Sequence, residues 1–200
     1  MRPIRIAAVG GSLRSASMSA AVLRSCCRRA RFAGATVTLL TGPDLELPLY
    51  NPEMTRPSPR AQRLLDALRS ADGVLLSSPT YHGGMSGLMK NALDHTEALA
   101  KETPCYLDGR AVGCLTVAWN DVAGASALAT LRSSVQALRG WTVPMGVVVP
   151  AGTDITPDGA CADPRTTRRL EILTDQVLEF ARMRIASQAM DAGELTAASV

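Results

Sequence analysis

Nowhere in the 200-residue chain is there an unbroken apolar run of the roughly 18 residues that a helical membrane span requires. The opening MRPIRI leads straight into a strand-like segment and lacks the layout of a secretory leader, so a cytoplasmic protein is expected. C-x-x-C is missing, and the five cysteines (Cys26, Cys27, Cys105, Cys114, Cys161) are odd in number. Both facts argue against a disulfide framework and a zinc knuckle, and the thiols read as reduced packing groups. The two histidines, His82 and His95, have no cysteine or carboxylate at ligand spacing, so no metal site is expected. Lysine plus arginine number 21 against 18 acids, net +3, and the excess is scattered. That excludes the concentrated basic stripe of a nucleic-acid binder. Internal repeats and low-complexity linkers are missing too, and the length suits one core, so a single domain is expected over residues 1–189 with a flexible tail at 190–200.

What is present is an alternation. Apolar runs of strand length occur at residues 4–9, 35–40, 73–77, 111–118 and 143–149, and helical patterns at 19–33, 59–71, 86–99, 123–139 and 164–189. The strands are apolar without clean alternation, as parallel strands covered on both faces must be. Five strands and five helices in this rhythm give an open, doubly wound α/β sheet, a three-layer sandwich with strand order 2-1-3-4-5. Ligands of such sheets sit beyond the carboxyl ends of the strands, at the switch point between strands 1 and 3. The informative loops therefore begin at Gly10, Ser78 and Trp119, while the proline-rich stretch 41–59 reads as a surface loop, a site wall or a dimer contact.

The first of these loops is GGSLRSASMS, residues 10–19. Glycines permit a tight turn, the incoming helix aims unpaired N–H groups at it, and Ser12, Arg14, Ser15, Ser17 and Ser19 surround the spot with donors. Neither G-x-G-x-x-G nor G-x-x-x-x-G-K-[ST] is there, so a dinucleotide loop and a P-loop both fail. Several hydroxyls and one arginine suit a terminal monophosphate, such as that of FMN. The same serines also read as ordinary helix caps, and Arg14 as a solvated charge.

The second loop, SSPTYHGGMSGLMKNALD at residues 77–94, lies across the switch point. Its backbone N–H groups, with Tyr81 and His82 alongside, could seat the polar edge of a flavin ring. Lys90 and Asp94, four apart, read as a helix surface pair. His95 reads as half-exposed near a helix end, Trp141 as packing at the start of the last strand, and Trp119 as either core or ring edge.

Together, G-S-L-R-x-x-S at 11–17 and P-x-Y-x-G-x-x-x-G-x-x-K-N-A-x-D at 79–94 resemble the NADPH-dependent FMN reductase family, which includes flavin, quinone, chromate and azo reductases. The likeness runs over residues 4–149, and DLELPLY at 44–50 is similar to the family's acidic, proline-bearing segment. It implies a flavodoxin-like fold, FMN as cofactor and NADPH or NADH as co-substrate. It also implies a homodimer or homotetramer with contacts from the third and fourth helices. Ser12, Arg14, Ser17, Met18 and Ser19 would hold the phosphate end of the cofactor. Pro79, Thr80, Tyr81, His82, Gly83 and Gly84 would hold the ring, with Trp119 from the third loop. Thr80 and His82 stand where many members have Glu and Asn, and the third loop lacks their adjacent glycine pair. The implied activity is hydride transfer from the nicotinamide to FMN, with no catalytic side chain. The reduced flavin would then pass to a partner monooxygenase or reduce a quinone, azo or metal acceptor. Two alternatives stay open: a one-electron carrier of the flavodoxin type, and a nucleotide-binding regulatory module without redox activity.

Overall fold

The computed structural model describes residues 2–197. Its parallel strands are β1 (Arg5–Gly10), β2 (Thr36–Thr41), β3 (Gly73–Tyr81), β5 (Ala111–Ala118), β6 (Trp141–Thr142) and β7 (Val147–Pro150). They run in the order β2-β1-β3-β5, with β6 and β7 both paired to β5. A two-residue β4 (Gly84–Met85) folds back antiparallel on the end of β3. Helices α1 (Met18–Phe32), α2 (Pro59–Ser70), α3 (Gly87–Asp94), α4 (Asp121–Ala137) and α5 (Pro164–Ala197) complete the chain.

Each apolar strand feeds two cores with alternate residues. Ile6, Ala8, Leu75, Leu115 and Val147 pack under α1 and α5. Ala7, Val9, Val74, Leu76, Val112 and Cys114 pack under α2, α3 and α4. This is why the strands read as continuous apolar runs: both pleat faces are covered.

Three expectations need correction. The strand expected at 143–149 is two pieces on β5, because Pro144 has no N–H for the ladder and the Met145 N–H goes instead to Gln176 Oε1 at 2.9 Å. The third helix stops at Asp94 and tightens into a 3-10 turn over His95–Leu99. β4 was not expected, and with the split last strand it brings the sheet to seven strands among the described residues instead of five. α5 runs as helix to Ala197, and residues 198–200 of the expected tail lie outside the described residues.

The chain start is tied down by Asp72, just before β3. Arg2 donates both Nη groups to its carboxylate at 2.6 Å, and the Arg5 N–H adds a bond of 2.8 Å. Partial burial would raise this carboxyl, but the Arg2 and Arg5 contacts win and hold it below the usual range. A depressed carboxylate stabilises the fold above its unfolded pKa, and the contribution is lost as pH falls through the folded value. Asp72→Asn is therefore expected to cost about 1 kcal/mol at neutral pH. In thermal melts the gap between variant and wild type should be full above about pH 4 and shrink as pH falls further; a gap that does not change with pH in that range would contradict the assignment.

Candidate functional site

Four segments meet at the carboxyl ends of the strands: the β1–α1 loop, the end of β3, the β5–α4 loop and the residue after β7. They enclose an open cleft of about 230 Å³ lined by Ser12, Arg14, Ala16, Ser17, Met18, Ser19, Pro79, Thr80, Tyr81, Val117, Trp119 and Ala151. Of the residues singled out in the first loop, Ser12, Arg14, Ser17, Met18 and Ser19 are thus neighbours of Pro79, Thr80, Tyr81 and Trp119 across the switch point, whereas Ser15 is exposed and outside the lining. His82, Gly83 and Gly84 are not part of this lining. Ala16, Val117 and Ala151 are additional, and as small apolar residues they carry no sequence signal beyond their place at strand ends.

The first loop serves α1 and the cleft at once. Ser17 is the N-cap, its Oγ accepting the Ala20 N–H at 3.1 Å and lying 3.0 Å from Ser19 Oγ. Ser12 Oγ accepts the Arg14 N–H at 3.3 Å. The capping role read in the sequence therefore belongs to Ser17, and the first-turn N–H groups of Met18 and Ser19 are left at the cleft, without intrahelical acceptors. Arg14 is exposed, and its guanidinium makes no ion pair among the described residues. No carboxylate lines the cleft. Hydroxyls, open N–H groups and one free guanidinium fit an anionic phosphomonoester.

At the opposite wall, Thr80 Oγ1 is the one buried side-chain polar atom left without a hydrogen-bond partner among the described residues. A ligand edge reaching this segment meets an uncommitted donor and acceptor, which fits the polar rim of a flavin. Tyr81 pairs with Gly84, and the two residues between them have positive φ, 50° at His82 and 78° at Gly83. That is a type I′ hairpin turn, not the helix-entry loop expected from the glycines. His82 is exposed at its tip. His82→Val should cost about 1–2 kcal/mol, because a β-branched residue is disfavoured in the left-handed region. His82→Asn should be nearly neutral in the same thermal melt; equal melting temperatures for the two variants would refute the turn.

In the third loop Trp119 is 88% exposed, and Asn120 caps α4 through Oδ1 to the Ala123 N–H at 2.8 Å. The Lys90–Asp94 pair forms at 2.6 Å. His95 is buried, against expectation, with Nε2 2.9 Å from the Pro48 carbonyl oxygen. Trp141 is 60% exposed, leaning on Phe180 instead of filling the core. Burial pushes the Cys26 and Cys114 thiols up to about 12 and Cys27 to about 11, so these three are inert packing groups. Among the described residues no three His, Cys, Asp or Glu side chains gather into a metal site, and no helix is long and apolar enough to cross a membrane.

Comparison with known proteins identifies the fold and the family. The description of the NADPH-dependent FMN reductase family matches residues 4–154. An NADPH azoreductase from a Bacillus species is 34% identical over 105 residues, 52% of this chain and 56% of that protein. An FMN-dependent NADPH-azoreductase from Staphylococcus saprophyticus is 33% identical over 126 residues, 60% of this chain and 62% of that protein. The chain thus spans between about half and two thirds of the length of the curated relatives it matches. Among solved structures, the NAD(P)H:acceptor oxidoreductase FerB from Paracoccus denitrificans superposes with TM-score 0.73 at 21% identity, covering 90% of this chain and 98% of that one. A flavodoxin, WrbA-like protein from Agrobacterium tumefaciens gives 0.63 at 15% identity, covering 92% and 99%. These likenesses place the fold as flavodoxin-like. With the family description running from the first strand past the last and the two loop motifs meeting in one cleft, the chain belongs to the NADPH-dependent FMN reductase family.

Proposed function

We propose that this chain, folding as one domain, binds FMN in the switch-point cleft and acts as an NAD(P)H-dependent reductase. The observation that carries the reading is one juxtaposition: Ser12, the unpaired Arg14 and the open start of α1 face Pro79, Thr80 and Tyr81 across a single cleft. Arg14 and Ser12, with the Met18 and Ser19 N–H groups, hold the terminal phosphate, the guanidinium by its fork of donors and the helix start by its positive end. Pro79, Thr80 and Tyr81 hold the ring edge, and the His82–Gly83 turn fixes where Tyr81 stands. Trp119 offers an aromatic plane at the mouth of the cleft. When bound, FMN supplies the redox chemistry, taking hydride from the reduced nicotinamide and giving electrons to an acceptor. The protein's share is placement and electrostatics.

Quinones, azo compounds, metal oxyanions or free flavin destined for a partner monooxygenase are the acceptors this reading admits. A homodimer or homotetramer built through α3 and α4 is part of the proposal, supported by the exposure of the apolar Val122 in the first turn of α4. A cytoplasmic setting, where reduced nicotinamide is at hand, goes with it.

Spectra of the purified protein with added FMN, followed by anaerobic NADPH and then a quinone, test the activity. Binding, bleaching of the visible flavin band and its return are expected. Failure to bind FMN contradicts the cofactor, and bound FMN that neither NADPH nor NADH reduces leaves an electron carrier instead of an enzyme.

A further inference from the structure

We propose that Ser86 is a positioning residue whose hydroxyl locks the phosphate loop to the ring-binding segment, so that the two ends of FMN are recognised as one unit. The inference rests on the reading of the cleft as an FMN site. Ser86 lies outside the cleft lining and is 3% exposed. Its Oγ donates to the Gly11 carbonyl at 2.6 Å, and because a carbonyl only accepts, the single hydroxyl proton is committed there. The same oxygen accepts the Met89 N–H at 3.1 Å, capping α3. The Ser86 N–H in turn donates to Ser78 Oγ at 2.9 Å, and Ser78 donates its own proton to the Pro79 carbonyl at 2.8 Å.

The other side of Gly11 is held as well. Its N–H donates to the Ser77 carbonyl at 2.9 Å, and Ser77 Oγ donates to the Ser19 carbonyl at 2.8 Å. Gly11 is therefore clamped between the end of β3 and the start of α3, immediately before Ser12. A Cβ on residue 11 would stand 2.8 Å from Ser86 Oγ and 2.7 Å from Met89 Cβ, so the lock closes only on glycine. The Ser78 hydroxyl also lies 3.5 Å from Ser86 Oγ, but the shorter bond to the Pro79 carbonyl is the favoured one, and the resulting chain of bonds sets the register of Ser12 and Arg14 against Pro79 and Thr80.

A ligand that touches both ends depends on that register, whereas one that touches only the ring segment does not. Ser86→Ala should weaken FMN binding about tenfold, while riboflavin, which lacks the phosphate, stays within about twofold. If Ser86 served only as a helix cap, both affinities would fall together. Flavin fluorescence titrations of wild type and variant with FMN and with riboflavin read this directly. Ser86→Cys, nearly isosteric and a weak donor, provides a second variant should alanine impair folding, and its preference for FMN over riboflavin should also fall. A wild type that binds FMN no better than riboflavin overturns the cleft assignment and the lock with it. A wild type that prefers FMN, with variants that keep the full preference, overturns the lock alone.

Discussion

Alanine at Gly11 is expected to lower FMN affinity by about 100-fold and the melting temperature by about 5–10 °C. The added methyl meets Met89 Cβ at 2.7 Å and Ser86 Oγ at 2.8 Å, both on or beside the first turn of α3. Neither is the free end of a flexible side chain: Ser86 is held by bonds to Gly11 and Met89, and a Cβ moves only with its backbone. Relief has to come from the loop, which carries Ser12 and Arg14 away from the Pro79–Tyr81 wall. Displacement of about 1 Å between two groups that must grip one ligand has an effect of this size. Calorimetry and flavin titration on the same sample check both halves, and a variant that melts and binds like wild type would show that the loop is not clamped.

Gly159 to alanine is expected to be the more damaging to the fold, at more than about 3 kcal/mol. Gly159 is buried in the segment after β7, with φ +93°, a conformation that L side chains rarely adopt. Its missing Cβ faces the backbone of α1, 2.4 Å from Ser25 N, 2.8 Å from Arg24 C and 2.9 Å from Ala21 O. Backbone atoms inside a helix cannot step aside as side chains do. The segment would lift from α1, losing the Arg24 donation to the Pro157 carbonyl at 2.9 Å and loosening the chain just beyond Ala151 at the cleft. Urea denaturation should show a clearly lower midpoint with soluble protein still present; an unchanged midpoint would contradict the packing.

The sequence speaks most clearly where one physical cause acts alone. Residues 6–9, 73–76 and 111–115 are apolar on both pleat faces, as a doubly covered parallel sheet requires, and from that follow the doubly wound architecture and the switch point, though not the full strand count, since β4 and the split of the last strand are additional. The cleft was legible for the same reason: Ser12, Arg14, Thr80 and Tyr81 sit at strand ends that the topology must bring together. Features that depend on distant partners were silent. The apolar run 143–149 hides a break, because Gln176, on another element, takes the Met145 N–H. Gly83 and Gly84 read as a loop, whereas left-handed His82 closes a hairpin. His95 is buried because a carbonyl 47 residues away receives it. Ser77, Ser78 and Ser86 look like ordinary loop polarity, and their work is invisible until the fold delivers Gly11, Pro79 and the Ser19 carbonyl to them.

The central claim is that the turn leaving β1 grips a lone phosphomonoester while the end of β3 holds the ring attached to it. Titration of FMN and of riboflavin into the Ser12→Ala, Arg14→Ala double variant tests it most directly. Loss of two donors to a charged oxygen should cut FMN affinity by at least about tenfold and leave riboflavin affinity unchanged. Undiminished FMN binding in that variant would contradict the account.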